Sequence, residues 1–211
     1  MRLVVSPRGA RLLLATAAAT AAALTLGAGN SPAAVTEWTV SPGGSFTGHA
    51  GTTELADTTT GQAAIICASS SSRGTFKSGS RLPGAGIGSI AAASFRGGCI
   101  TLTAGHLPWK VNVKSYQSAT DTTVGTITGV HLRFTDPTFC NLTADGTSAT
   151  AGNGTVRFRY ANATGRLQVL RARGNLHIYQ VQGCGGVFHD GDTATLSGSY
   201  MITPVQTITS P

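Results

Sequence analysis

Residues 193–203 read Thr-Ala-Thr-Leu-Ser-Gly-Ser-Tyr-Met-Ile-Thr. Ala194, Leu196, Gly198, Tyr200 and Ile202 share one phase of a two-residue period. Thr193, Thr195, Ser197, Ser199 and Thr203 share the other. An extended chain sends alternate side chains to opposite faces, so this segment is a strand with one buried and one wet face. The same period recurs. Residues 110–116 set Val111 and Val113 against Lys110, Asn112 and Lys114, and residues 155–160 set Val156, Phe158 and Tyr160 against Arg157 and Arg159. Residues 124–134 put Val124, Val130, Leu132 and Phe134 on one side. Residues 63–68 and 176–181 are apolar enough to predict more buried strands. Turn residues separate these runs: Pro42-Gly43-Gly44, Ser78-Gly79-Ser80, Asn153-Gly154, Asn162–Gly165 and Asp190-Gly191. No segment after the first 33 residues carries a sustained helical stripe. The nearest, 87–95, suits a short helix or a strand. The pattern predicts an all-β chain, a single antiparallel β-sandwich or flattened β-barrel.

The four cysteines, Cys67, Cys99, Cys140 and Cys184, add a covalent constraint. An even count in an exported chain reads as two disulfides. Three connectivities are open; Cys67–Cys99 with Cys140–Cys184 is preferred because each bond then staples one half of the chain. Export is expected from the N-terminus. Arg2, Arg8 and Arg11 precede an Ala- and Leu-rich run to about Leu26, and small residues follow at Ser31-Pro32-Ala33. That is the layout of a secretory signal peptide over 1–33, leaving one all-β domain over 34–211. No membrane span is expected in the mature chain. The three leader arginines inflate the basicity: the formal net charge drops from +7 to +4 without them.

Several phrases look familiar: "EWTVSPGGSFTGHAGTTELADTTTG", "GIGSI", "LPWKVN", "VGTITGV" and "GDTATLSGSYMITPVQTITSP". Together they resemble a family of small, uncharacterised secreted β-proteins of actinobacteria. The resemblance covers nearly all of the mature chain. It implies secretion and a β-fold, and no particular chemistry. The sequence departs from it at His189, where Asn is expected before the Asp-Gly turn.

The candidate sites are few. His189-Asp190-Gly191-Asp192 crowds an imidazole and two carboxylates, but Asp-Gly is also the chemistry of a tight turn. Read that way, His189 and Asp192 face each other across a two-residue hairpin, or Gly185–Asp192 form a wider loop. Arg157, Arg159 and Arg166 flank the Asn162–Gly165 turn, with Arg171 and Arg173 in the next loop. If the strands pair in register, the first three share a solvent face suited to an anionic polymer. Trp109, between His106 and Lys110, either stacks on a ligand or plugs the core. Three Asn-x-Thr triplets, at Asn141, Asn153 and Asn162, match a glycosylation pattern that carries little weight in a bacterial chain.

No G-x-S-x-G elbow or HExxH motif occurs, and the cysteine and histidine spacings do not suit a metal. No catalytic residue, metal or cofactor is therefore expected. The sequence reads as a secreted, non-enzymatic binding or structural protein, extracellular or cell-wall associated. Its expected partner is an anionic cell-envelope polymer or a surface protein. Nucleic acid is disfavoured because no aromatic stacking motif accompanies the arginines. A small secreted hydrolase or hydrolase inhibitor is the alternative.

Overall fold

The structure is a computed structural model, and it describes residues 36–61, 63–99, 101–138, 140–171 and 174–211. Segment 1–33, expected from sequence to be a signal peptide, lies outside them, as does Arg173. The described chain is almost entirely extended: β1 (Glu37–Ser41), β2 (Gly44–Ala50), β3 (Thr53–Asp57), β4 (Ala64–Cys67), β5 (Ser69–Phe76), β6 (Gly79–Pro83), β7 (Gly88–Arg96) and β8 (Leu102–Gly105). There follow β9 (Trp109–Gln117), β10 (Thr122–Asp136), β11 (Cys140–Asp145), β12 (Gly154–Ala161), β13 (Arg166–Val169), β14 (His177–Gly183), β15 (Ala194–Thr203) and β16 (Thr207–Thr209). Segment 87–95, open between helix and strand from sequence, is the strand β7.

Eight strands close into an antiparallel barrel in the order β12-β13-β15-β2-β5-β7-β9-β10, with β10 pairing back to β12. Closure leaves these strands no free edge along the barrel. Beyond the barrel, the far half of β10 pairs with β8 and β11, and β11 pairs with β14. The near half of β15 pairs with β3, which pairs with β4. A three-stranded sheet, β16-β1-β6, is tied to the barrel by side chains. Tyr160 OH donates to the Gln206 carbonyl at 2.9 Å, Thr123 Oγ1 to the Ile208 carbonyl at 2.5 Å, and Ile208 N–H to Asn162 Oδ1 at 2.9 Å. Asn162 is buried by these contacts.

The lumen is a packed core. Val156, Phe158 and Tyr160 point inward while Arg157 and Arg159 stay exposed, as the alternation predicts. Two glycines make the packing possible, each at a bulge. A Cβ on Gly74 would fall 1.9 Å from the Ser89 carbonyl and 2.9 Å from the Phe46 ring. One on Gly125 would fall 2.1 Å from the Asn112 carbonyl and 2.7 Å from the Phe158 ring. Large rings facing missing side chains fill a small barrel, and glycine at a bulge lets a strand bend enough to close it.

Two expectations change. Val124 does not join Val130, Leu132 and Phe134: it is half-exposed opposite Arg159, while Thr123 and Ile127 are buried. The pairing with β12 shifts register between Thr128 and Val130, with Gly129 at φ 87°. One extra residue in a strand reverses its alternation. Segments 63–68 and 176–181 are also less buried than predicted. In the first, Ile65 and Cys67 face the core, but Ile66 is 53% exposed, because β4 pairs only with β3. In the second, Leu176 and Ile178 are buried but Gln180 is exposed, because β14 pairs only with β11.

The two disulfides are Cys67–Cys99 and Cys140–Cys184, closing loops with separations of 32 and 44 residues. Loops of that length contribute about 4 kcal/mol each by the chain-entropy argument. The double variant Cys67→Ala/Cys99→Ala should therefore melt about 10 °C lower by scanning calorimetry at the usual sensitivity of a domain this size. A shift under about 2 °C would show that the bond adds little beyond the packing around it.

Candidate functional site

Three barrel strands, β9, β12 and β13, grouped around the barrel half of β10, carry the basic band. Register places Thr126 between Asn112 and Arg157, and Val124 between Ser115 and Arg159. Arg159 lies opposite Gln168, and Ala161 opposite Arg166. Arg157, Arg159 and Arg166 therefore share the outer face, as an in-register hairpin requires. Lys110 and Lys114 on β9 extend the band, and all five are exposed. No Asp or Glu occurs on β9, β12, β13 or residues 122–128 of β10.

The acidic residues are spent elsewhere. Glu37 pairs with Arg81 at 3.9 Å, and Glu54 pairs with Arg171. Asp57 accepts the N–H groups of Thr59 and Thr60, and Asp136 accepts the N–H and the hydroxyl of Thr138. Asp121 accepts Tyr116 OH and Asn162 Nδ2. Asp190 accepts Val181 N–H, and Asp192 accepts His189 N–H. With Asp145, described next, all eight carboxylates of the chain are engaged. None of the five cations of the band has an ion-pair partner among the described residues. Short carboxyl side chains satisfy turn N–H groups, and long guanidinium stems reach solvent from strands.

Asp145 makes the most concentrated polar contact. It ends β11 and is wholly buried. Oδ1 accepts N–H bonds from Gly146, Asn153 and Gly154 at 2.6, 3.0 and 3.2 Å. Oδ2 accepts Gly152 N–H at 2.8 Å and meets His131 Nδ1 at 2.9 Å. His106 stacks on His131 with ring centroids 4.4 Å apart. Gly105 leaves room for the His131 ring: a Cβ there would come within 2.6 Å of it. Burial pushes the Asp145 carboxyl up, but the His131 bond and the three N–H groups of Gly146, Gly152 and Asn153 outweigh it, so its pKa falls below the ordinary value.

An imidazole oriented by a buried carboxylate resembles half of a catalytic triad. Here the carboxylate clamps the loop between β11 and β12, and no hydroxyl or thiol bonds to His131 among the described residues. The pair acts as a fastener. Sequence reading passed over it: Asp145-Gly146 looks like any turn, and His131 sits inside an apolar strand. Only the fold brings them together.

His189–Asp192 is a turn. Asp192 N–H donates to the His189 carbonyl at 3.2 Å, Gly191 takes φ 90°, and His189 Nδ1 lies 3.5 Å from Asp192 Oδ2. It is not a two-residue hairpin, since residues 184–193 separate β14 from β15. The segment folds back on β14 instead, with Gly191 N–H bonded to the Ile178 carbonyl. Trp109 is 4% exposed and lines the lumen, with Nε1 bonded to the Gly105 carbonyl at 2.9 Å. Ligand stacking is closed to it because the barrel wall covers its ring. Among the described residues no three His, Cys, Asp or Glu side chains are placed to share a metal ion.

Over residues 10–210 the sequence matches the family described as "Alkane oxidation protein activator PraA/PraB-like". That description names a process that the sequence phrases did not imply. No curated protein and no solved structure matches the chain.

The Asp145 clamp has a pH signature. A carboxyl with a depressed native pKa contributes stability that is present above its unfolded value, near 3.9, and lost as pH falls through the native one. Asp145→Asn should lose about 2–4 kcal/mol at neutral pH, by the cost of breaking charge-assisted bonds to buried donors. It should also flatten the acid limb of a denaturant stability profile below about pH 4. A variant whose acid limb overlays that of the wild type would show that the carboxylate is not the clamp.

Proposed function

The chain belongs to the PraA/PraB-like family of alkane oxidation protein activators, and from that premise we propose an exported accessory protein that promotes alkane oxidation by binding, not by catalysis. Its basic barrel face docks on an anionic polymer of the cell envelope. The observation that carries this reading is the charge partition: Arg157, Arg159, Arg166, Lys110 and Lys114 stand free on adjacent strands, while every carboxylate is engaged elsewhere. An unneutralised band concentrates positive potential and steers polyanions to it. Two disulfides suit an oxidising compartment outside the cytoplasm.

The barrel interior is not an alkane carrier in this packing. Its residual cavity, about 30 Å³, is lined by groups such as Phe46, Phe76, Trp109, Ile127 and Tyr200. A dry cavity of about 150 Å³ is what accepts even benzene. The layout is also the inverse of a lipid-embedded barrel, which turns its apolar side outward.

Retention of the disulfide-bonded protein on heparin and on isolated anionic envelope polymer tests the reading. The wild type should bind at low salt and elute as ionic strength rises past about 0.3 M, where exposed charges are screened. Arg157→Ala/Arg159→Ala/Arg166→Ala should weaken retention about tenfold or more. Binding that survives the triple substitution would sink the basic-face assignment.

A further inference from the structure

A second surface feature lies away from the basic band, on the outer side of β10, β11 and β14. The pairing of β11 with β14 shifts register between Asn141 and Thr143, so two β14 residues, Gln180 and Val181, oppose Leu142 alone. Gln180 takes φ 55°, in the left-handed region that non-glycine residues rarely occupy. The bulge bends the sheet and opens a groove of about 560 Å³. Bulges and strained backbone of this kind re-aim side chains at binding sites. The volume falls in the range of small-ligand sites.

The lining is almost wholly polar and nearly neutral. Arg133, Asn141, Thr143, Gln180, Gln182 and Asp190 supply the polar groups. Few of these are used internally. Thr143 Oγ1 donates to Gln180 Oε1 at 3.3 Å, and Asp190 Oδ1 accepts Val181 N–H at 3.1 Å. Arg133 makes no ion pair among the described residues. Asn141 Oδ1 is buried with no hydrogen-bond partner, alone in this among the described side-chain atoms. A buried acceptor without a donor is unfavourable, and a turn of the Asn141 amide toward the groove would let a ligand supply one.

We infer that this groove is a binding site for a neutral saccharide. Planar amides, a guanidinium and a carboxylate present donors and acceptors side by side, which is what adjacent sugar hydroxyls pair with. One cation beside one anion gives no preference for a charged ligand. The inference is independent of the basic band, which occupies other strands.

Titration calorimetry of the disulfide-bonded protein with cellobiose, maltose and N,N′-diacetylchitobiose provides the test. At least one should bind saturably, with a dissociation constant of about 10 mM or tighter. Gln182→Ala and Gln180→Gly should each weaken it about tenfold. Glycine at 180 keeps the left-handed backbone while removing the amide, so that variant should still fold. Binding should be unchanged by added salt and by the triple arginine variant. No saturable binding of any of the three sugars would overturn the site, as would binding that both glutamine variants leave intact or that salt abolishes.

Discussion

The architecture depends on one change of phase within one strand. β10 runs for 15 residues, and its first half closes the barrel between β9 and β12. At Gly129 the strand bulges, and its second half leaves the barrel to pair with β8 and β11. Before the bulge odd-numbered residues face inward; after it, even-numbered ones do. The reversal lets Ile127 pack in the lumen while Val130, Leu132 and Phe134 are buried where β10 runs beside β8 and β11. It also turns His131 toward Asp145 and Arg133 toward the groove on the outer face. A side chain at 129 would be strained by the positive φ, although its Cβ would clear every neighbour by 3.8 Å or more.

The Asp145 clamp follows from that geometry. Loop 146–154 must return from β11 to β12, and both flank β10. Its N–H groups turn inward, where water is excluded, so they need a buried acceptor. One carboxylate satisfies four of them and is itself held by His131. The barrel and its extension over β8, β11 and β14 are thus held by a charged side chain as well as by the continuous strand β10.

What could be read from sequence was whatever repeats locally. Alternation in 155–160 and 193–203 gave the correct faces because those strands keep one phase, except that Thr195 on the expected wet face is buried, and the cysteines paired as preferred. Local pattern could not reveal closure into a barrel, since β12 meets β10 across a long stretch of chain and no residue announces the pairing. The bulge at Gly129 defeated the alternation of 124–134 because a lone glycine in a strand has the same letter whether or not it shifts the phase. His131 and Asp145 are 14 residues apart on neighbouring strands, so their meeting is a property of register. Asn141 and Gln182 stand opposite each other for the same reason.

Net charge understates how basic the molecule is to a partner. The formal value of +7 counts each carboxylate against a cation as if both met solvent equally. In the fold they do not. Six aspartates accept hydrogen bonds from backbone or side-chain donors within turns and loops, and two glutamates are paired with Arg81 and Arg171. Those bonds leave the aspartates their charge but fix it off the strands of the basic band, while the two glutamates are offset by their own arginines. The arginines of β12 and β13 have no such partners, so their fields add in the solvent outside the barrel. A chain can therefore present a strongly basic surface at modest net charge, provided that its acids are the residues that build its turns.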